Sequence, residues 1–115
     1  LTTQKYIDEN PEVVQRFANA LAKCFDYWAD HKEQVATWVA EIVEADEQTI
    51  KNQLNFLVFY NSRELKQKLD NGEIRKLYEV QQQGMLKDGK IDHTAPLDDY
   101  IKWEFMEKAT ANALK

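Results

Sequence analysis

Apolar residues recur at three- and four-residue steps along most of the chain, which is the spacing of one face of an α-helix. The longest pattern follows Asn10-Pro11-Glu12. Asn10 can cap a helix, a proline loses nothing at the first helical position, and an acid suits the positive helix end. The sequence therefore predicts a long helix of roughly five turns with one apolar stripe: Val14, Phe17, Ala18, Leu21, Cys24, Phe25 and Trp28.

Three shorter helices are predicted around this one. Thr2 or Thr3 can cap a short helix at the start of the chain. Asp30 or His31 can cap a helix after the long one, and Asp46 can begin a short helix that ends near Phe56. The expected inner face of the helix after the long one is Val35, Trp38, Val39, Ile42 and Val43.

Residues 57–60, Leu-Val-Phe-Tyr, have the composition of a β-strand. No second strand is predicted that could pair with them, so a buried helix end or an extended linker is favoured. The remaining boundaries are a cap at Asn61 and Ser62, a break or bend at Asn71-Gly72, a stop at Gly84, a loop over residues 85–96, and a last helix from Leu97 or Asp98. The chain is thus predicted to be all-α, with about six helices in a single unit over residues 1–115.

The amino-acid composition argues against several kinds of partner and site. The 115 residues are 43% hydrophobic and 30% charged, as in globular domains, and the net charge is −5. Both nucleic acid and anionic lipid draw affinity from clustered Lys and Arg, so neither is an expected partner. The single cysteine, Cys24, excludes an intrachain disulfide and any cysteine-based zinc site.

No residue combination predicts catalysis. Cys24 and His31 are two helical turns apart, about 10 Å along the axis, so they cannot meet within one helix. Cys24 lies on the apolar stripe and is expected to be buried. Ser62 is the only serine, and no glycine elbow flanks it. We therefore expect the chain not to be an enzyme.

Acidic groups and aromatic residues also favour structural roles. Asp88-Gly89-Lys90-Ile91-Asp92 lacks the alternating acids and closing glutamate of a calcium loop, so a turn is predicted. The acids Glu41, Glu44, Asp46 and Glu47 are interpreted as a solvated surface, and Asp98-Asp99 as helix-capping acids. No metal or cofactor is expected. The aromatic residues Phe25, Tyr27, Trp28, Trp38 and Trp103 are interpreted as core.

The chain has more aromatic residues than one small bundle needs. There are thirteen among about six short helices, and Tyr27 and Trp28, being neighbours, cannot both point the same way. Some aromatic surface is therefore expected to face a partner or another part of the same protein. The chain begins at Leu1 without a methionine, and we expect it to have been processed or to be part of something larger.

The order of these signals resembles a known family. The matching stretches are Leu1-Thr2-Thr3-Gln4-Lys5-Tyr6-Ile7-Asp8-Glu9-Asn10-Pro11-Glu12, Val14-Gln15-Arg16-Phe17, Ala20-Leu21, Gly84-Met85-Leu86, Ile91-Asp92 and Pro96-Leu97-Asp98-Asp99-Tyr100-Ile101. Together, over residues 1–108, they resemble the second half of bacterial ABC-transporter substrate-binding proteins of the nitrate/sulfonate/taurine and thiamine-precursor binding family.

This resemblance implies that the chain is the C-terminal helical part of a two-lobed α/β periplasmic-binding-protein type II fold. The whole protein would bind a small ligand between its lobes and serve an ABC permease, in the periplasm or outside the cell at the membrane. None of the family's ligand-binding residues matches a position here, so no ligand-binding residue is predicted. The isolated segment is expected to self-associate, because its apolar faces would lack their cover. The alternative is an autonomous helical module whose apolar stripe binds a partner helix.

Overall fold

The computed structural model describes all 115 residues, and they form eight helices without a strand. The helices are α1 (Gln4–Glu9), α2 (Pro11–Asp30), α3 (Lys32–Val43), α4 (Glu47–Leu54), α5 (Ser62–Asp70), α6 (Glu73–Lys87), α7 (Leu97–Tyr100) and α8 (Trp103–Ala113). The all-α prediction is confirmed, and the predicted number of about six helices is too low.

The additional helices arise at two interruptions. At the predicted Asn71-Gly72 break, Gly72 adopts a left-handed conformation (φ +80°) that favours glycine, and α5 and α6 separate there. The predicted last helix divides because Ile101 is extended (φ −110°, ψ 121°). This second break begins α8 at Trp103 and allows the indole to enter the core.

The predicted helix stop at Gly84 is wrong. Helix α6 continues through Gly84 to Lys87, which also shortens the predicted loop over residues 85–96. Gly89 is the glycine with a left-handed conformation (φ +66°), and the adjacent Lys90 N–H donates to the Met85 carbonyl at 2.8 Å. The helix therefore ends where a glycine can take the left-handed position and the last carbonyls gain donors.

Three predicted caps are confirmed. Thr3, Asp46 and Asn61 each accept a hydrogen bond from a backbone N–H in the first turn of α1, α4 and α5. The predicted Asn10 cap is wrong, because its Nδ2 donates to the Tyr6 carbonyl at 3.3 Å instead. Pro11 still begins α2, since its missing N–H and fixed φ suit the first helical position without a side-chain cap.

Helices α5 to α8 form what we call the body. Its core is the buried trio Ile74, Leu97 and Trp103, and the half-buried side chains around it are Tyr60, Leu65, Leu69, Tyr78 and Ile101. Helix α2 lies along α8 and also contacts α5.

Helices α3 and α4 form a hairpin with a separate core. Ala36, Ala40 and Ile50 are buried there, with Val39 and Leu54 against them. The predicted inner face of α3 is therefore wrong in part, because Trp38, Ile42 and Val43 are exposed. The alanines let α4 approach closely, so α3 faces α4 with its small residues and not with Trp38, Ile42 and Val43.

The molecule exposes more surface than a compact chain of its size. Its radius of gyration is 16.5 Å, whereas about 13 Å is expected for this length. Its accessible surface is 8750 Å², and a folded monomer of 13.5 kDa has about 6500 Å². The excess is about 2200 Å², and only ten residues are buried.

Candidate interaction surface

Helix α2 packs against the rest of the molecule through its small and polar residues. Ala18 and Ala22 are half-buried, and the Gln15 Nε2 donates to the Phe105 carbonyl in α8 at 3.1 Å. Asp26 joins α2 to α5, accepting from the Ser62 backbone N–H at 2.5 Å and from its hydroxyl at 2.8 Å. Small side chains allow close approach, and directional bonds fix the register of α2.

Apart from the half-buried Val14 and Trp28, the bulky apolar residues of α2 lie beside this packing side and are open to solvent. Val13, Phe17, Leu21, Cys24 and Phe25 are all exposed, with Phe17 65% exposed. These residues lie on successive turns along one side of the helix, at positions i, i+4, i+8, i+11 and i+12. The expectation that Cys24 is buried is wrong, because only the Val14, Ala18 and Trp28 part of the predicted stripe is half-buried and Cys24 lies on its exposed part. We call this set of five residues the open face.

The open face continues beyond the end of α2. The Phe25 and Trp28 rings stack with centroids 6.4 Å apart, and Trp28 stacks on Phe59 at 4.4 Å. Phe59 belongs to the segment between α4 and α5, in which residues 56–58 are also exposed. The apolar strip thus runs along α2 and onto this linker.

Two cations border one edge of the open face. Arg16 and Lys23 are one heptad apart, exposed, and in no salt bridge within the chain. Glu12 and Asp30 are exposed on the same edge, four residues before Arg16 and seven after Lys23, so the edge carries both signs of charge. An apolar strip with a charged edge is suited to a partner surface that is apolar in the centre and polar at its rim. The seven-residue spacing of Arg16 and Lys23 is visible in the sequence, although our sequence analysis did not single it out.

The side chains considered for catalysis, Ser62 and His31, are engaged in contacts that hold the fold together. Ser62 is buried with its hydroxyl donating to a carboxylate of Asp26, and this bond fixes α5 on α2. His31 stacks face to face on Tyr27 with centroids 3.9 Å apart, and its Nδ1 is 2.8 Å from the Tyr27 carbonyl. Asp26, which the sequence analysis did not identify, is the residue that holds Ser62.

The acidic residues between α3 and α4 divide into paired and unpaired groups. Lys51 binds Glu47 at 2.8 Å and Glu33 at 2.9 Å. The Lys51 hydrogen bond, followed by that from Thr37, holds the pKa of Glu47 below its usual 4.5. Glu41 and Glu44 are exposed and form no salt bridge. No group of three or more His, Cys, Asp or Glu side chains is arranged to hold a metal ion.

Asp98 is a structural acceptor in the body. It accepts from the Arg75 guanidinium and from the Trp103 indole N–H, each at 2.7 Å, and Arg75 also lies over the Trp103 ring. The Arg75 hydrogen bond, followed by that from Trp103, lowers the Asp98 pKa below its usual 3.8. Asp98 and Asp99 lie in the first turn of α7, as the prediction of helix-terminal acids requires, but no side chain caps this helix.

The aromatic residues do not form one core. Trp103 is buried, as predicted, but Phe25, Tyr27 and Trp38 are exposed. Tyr27 and Trp38 stack in parallel at 6.0 Å, and they line an open apolar hollow of ≈ 350 Å³ between α2 and α3. The core interpretation is therefore wrong for these three residues.

Comparison of the chain with protein-family models, curated proteins and solved structures finds no match. None of the helices combines the length and apolar composition required to span a bilayer. The open face is an exposed apolar strip along α2, and association through it is what this geometry can do.

Proposed function

We propose that this chain is the C-terminal helical segment of the solute-binding component of an ABC importer. The importer's ligand is a small nitrate/sulfonate/taurine- or thiamine-precursor-like compound. The segment is non-catalytic and acts as a buttress: its open face packs against the remainder of one lobe, so that the lobe moves as one body when the ligand is captured.

The observation that supports this proposal is the orientation of α2. Its alanines and polar groups hold the neighbouring helices, while Phe17, Leu21 and Phe25 face outward. A helix with both sides suited to packing belongs in the middle of a layered domain, between one layer of helices and another element. The excess surface of about 2200 Å² is more than the roughly 800 Å² that each partner buries in a standard protein–protein interface.

The thiol of Cys24 provides a direct test, because it is exposed in the middle of the open face. Its alkylation rate is compared between the isolated chain and the full-length product of the gene that encodes it. We expect a slower reaction, by about tenfold or more, in the full-length protein, because a covered thiol reacts only during local opening. The matched control is K76C in a C24S background, on the exposed side of α6, which should react equally fast in both.

The same preparation tests the ligand. Thermal unfolding of the full-length protein with nitrate, taurine or a thiamine-pyrimidine precursor should show a shift to higher temperature for one of them. If the full-length protein protects Cys24 but none of these compounds raises its unfolding temperature, the transport assignment is contradicted and the buttress role still stands. Equal Cys24 rates in the two proteins contradict the buttress.

An autonomous interaction module is the second candidate, and a specific observation favours it. Val13, Phe17, Leu21 and Phe25 recur every four residues, beside the unpaired Arg16 and Lys23. This pattern is typical of a helix that lies in the groove of a partner. If the gene encodes only this helical chain, Cys24 should be protected by an added partner and not by the rest of the protein.

A further inference from the structure

The segment between α4 and α5 is distinct from the rest of the chain in charge. Residues 52–62 contain no charged side chain, whereas 30% of the chain is charged. Within it, Asn55 to Tyr60 reads Asn-Phe-Leu-Val-Phe-Tyr, which combines high β-propensity with low charge and neither Pro nor Gly. Such segments pair readily with identical strands.

The backbone of this segment is available for pairing from Val58 to Tyr60, whereas the Phe56 and Leu57 N–H groups donate to the Gln53 and Leu54 carbonyls. No backbone hydrogen bond joins Val58, Phe59 or Tyr60 to any other part of the chain. The side chains of Phe56, Leu57 and Val58 are exposed, Phe56 by 88% and Val58 by 75%. The segment therefore has both of the features that an open strand edge presents: unpaired N–H and C=O groups and apolar side chains.

The segment is held in place at its C-terminal end. Phe59 stacks on Trp28 of α2 with ring centroids 4.4 Å apart. Tyr60 packs against the core of the body, and Asn61 and Glu64 form a capping box at the start of α5. A segment that is already fixed loses less conformational entropy when it binds than a free tail does.

We propose that residues 56–60 pair with the same residues of a second copy as a two-stranded antiparallel ladder. Antiparallel pairing of one segment with itself is isologous, so a single two-fold axis satisfies both strands. The chain carries a net charge of −5, and two copies repel each other, but residues 52–62 add nothing to this repulsion. This uncharged segment is where two copies can approach most closely.

The pairing uses the backbone of residues 56–60, which adjoin the open face through the Trp28–Phe59 stack but include none of its five side chains. That function requires the open face of α2 to be covered, and this inference requires the linker to be paired. Substitutions in one surface therefore leave the other intact, and the two proposals can fail separately.

A disulfide at the centre of the segment tests the register. In an antiparallel ladder centred on Val58 as a hydrogen-bonded pair, the two Val58 residues exchange both N–H···O bonds and their Cα atoms lie about 5.5 Å apart, a distance that a disulfide spans. We expect V58C in a C24S background to form a covalent dimer under mild oxidation. The matched control is V80C in the same background, which places an exposed thiol on α6 and should remain monomeric.

A proline substitution tests the backbone hydrogen bonds. V58P removes one N–H that has no partner within the chain, so the helices should be retained, as circular dichroism would verify. V58A removes the same side chain beyond Cβ and keeps the N–H. By sedimentation equilibrium, V58P should weaken dimerisation about thirtyfold relative to V58A, because two symmetry-related hydrogen bonds are lost.

Two further variants identify association through the open face. F17Q and L21Q should leave the V58C cross-link unchanged if residues 56–60 form the interface. The proposal would be overturned if these substitutions abolished the cross-link or if V58P and V58A dimerised equally. It would also be overturned if the chain were a monomer at all concentrations or formed an open series of larger species.

Discussion

The body and the hairpin are both helical, but different kinds of contact hold them together. The body is built around one large aromatic side chain, Trp103, which is 7% exposed and bonded to Asp98. The hairpin is built around Ile50 of α4, which packs against two alanines of α3, Ala36 and Ala40. A core with one large residue depends on that side chain filling the space between the helices, whereas a core of small residues depends on a short distance between the helices.

This difference also explains which apolar side chains are left outside. In the body the break at Ile101 turns Trp103 inward. In the hairpin the alanines take the contact positions, so Trp38 and Ile42 are exposed, Ile42 by 81%. Helix α2 follows the rule of the hairpin, because it too packs through its smaller residues.

The largest expected effect is in the body. W103A should lower the free energy of unfolding by about 3–5 kcal/mol, since it removes a buried aromatic side chain and leaves a cavity. Urea unfolding followed by circular dichroism measures this loss. W38A is the matched control in the hairpin, and it should cost less than half as much because Trp38 is exposed. Equal losses would mean that the two tryptophans share one core.

Enlarging an alanine should break the hairpin selectively. A36L inserts three carbons where Ala36 is 1% exposed, and overpacking of this kind costs about 1–3 kcal/mol. Hydrogen exchange should accelerate in α3 and α4 while α8 keeps its protection. A20L, at an exposed alanine of α2, should change stability by less than about 0.5 kcal/mol.

Acid should weaken the body through Asp98. Its pKa is lowered in the folded state, first by Arg75 and then by Trp103. A lowered carboxyl pKa contributes stability above the unfolded value of 3.8, and this contribution is lost as the pH falls through the folded pKa. The wild type should therefore exceed D98N in unfolding midpoint by the largest amount at pH 7, and this difference should decrease below about pH 4.

D99N is the control for this pH dependence. Asp99 is adjacent to Asp98 and its side chain forms no hydrogen bond, so D99N should follow the wild-type curve. A D98N difference that is constant from pH 7 to pH 2 would show that the carboxylate charge does not stabilise the body.

The smallest expected effect is at the end of α3. Glu44 has a left-handed conformation (φ 53°), and it is the only residue other than glycine with a positive φ. E44G should stabilise the hairpin by about 0.5–1 kcal/mol, because glycine takes this conformation without the Cβ penalty. E44A retains the Cβ and serves as the control, and thermal unfolding of the three proteins should place only E44G above the wild type.

Much of the local structure could be predicted from the sequence. The caps at Thr3, Asp46 and Asn61, the proline start of α2, and the break at Asn71-Gly72 depend on side chains within three or four residues of each boundary. For residues 57–60 the lack of a second strand favoured a buried helix end or an extended linker, and the structure has a non-helical linker there. Boundaries that depend on distant contacts, such as the split before Trp103, were not.

The sequence by itself determined that the chain is helical, because helix formation follows from local spacing and capping. Only the tertiary structure decided which side of each helix is buried. Periodicity locates the apolar stripe of α2, but within that stripe Ala18 is half-buried whereas Phe17 and Leu21 are exposed. Packing follows the shape and the hydrogen bonds of the neighbouring helix, and these are set by residues as distant as Phe105 and Ser62.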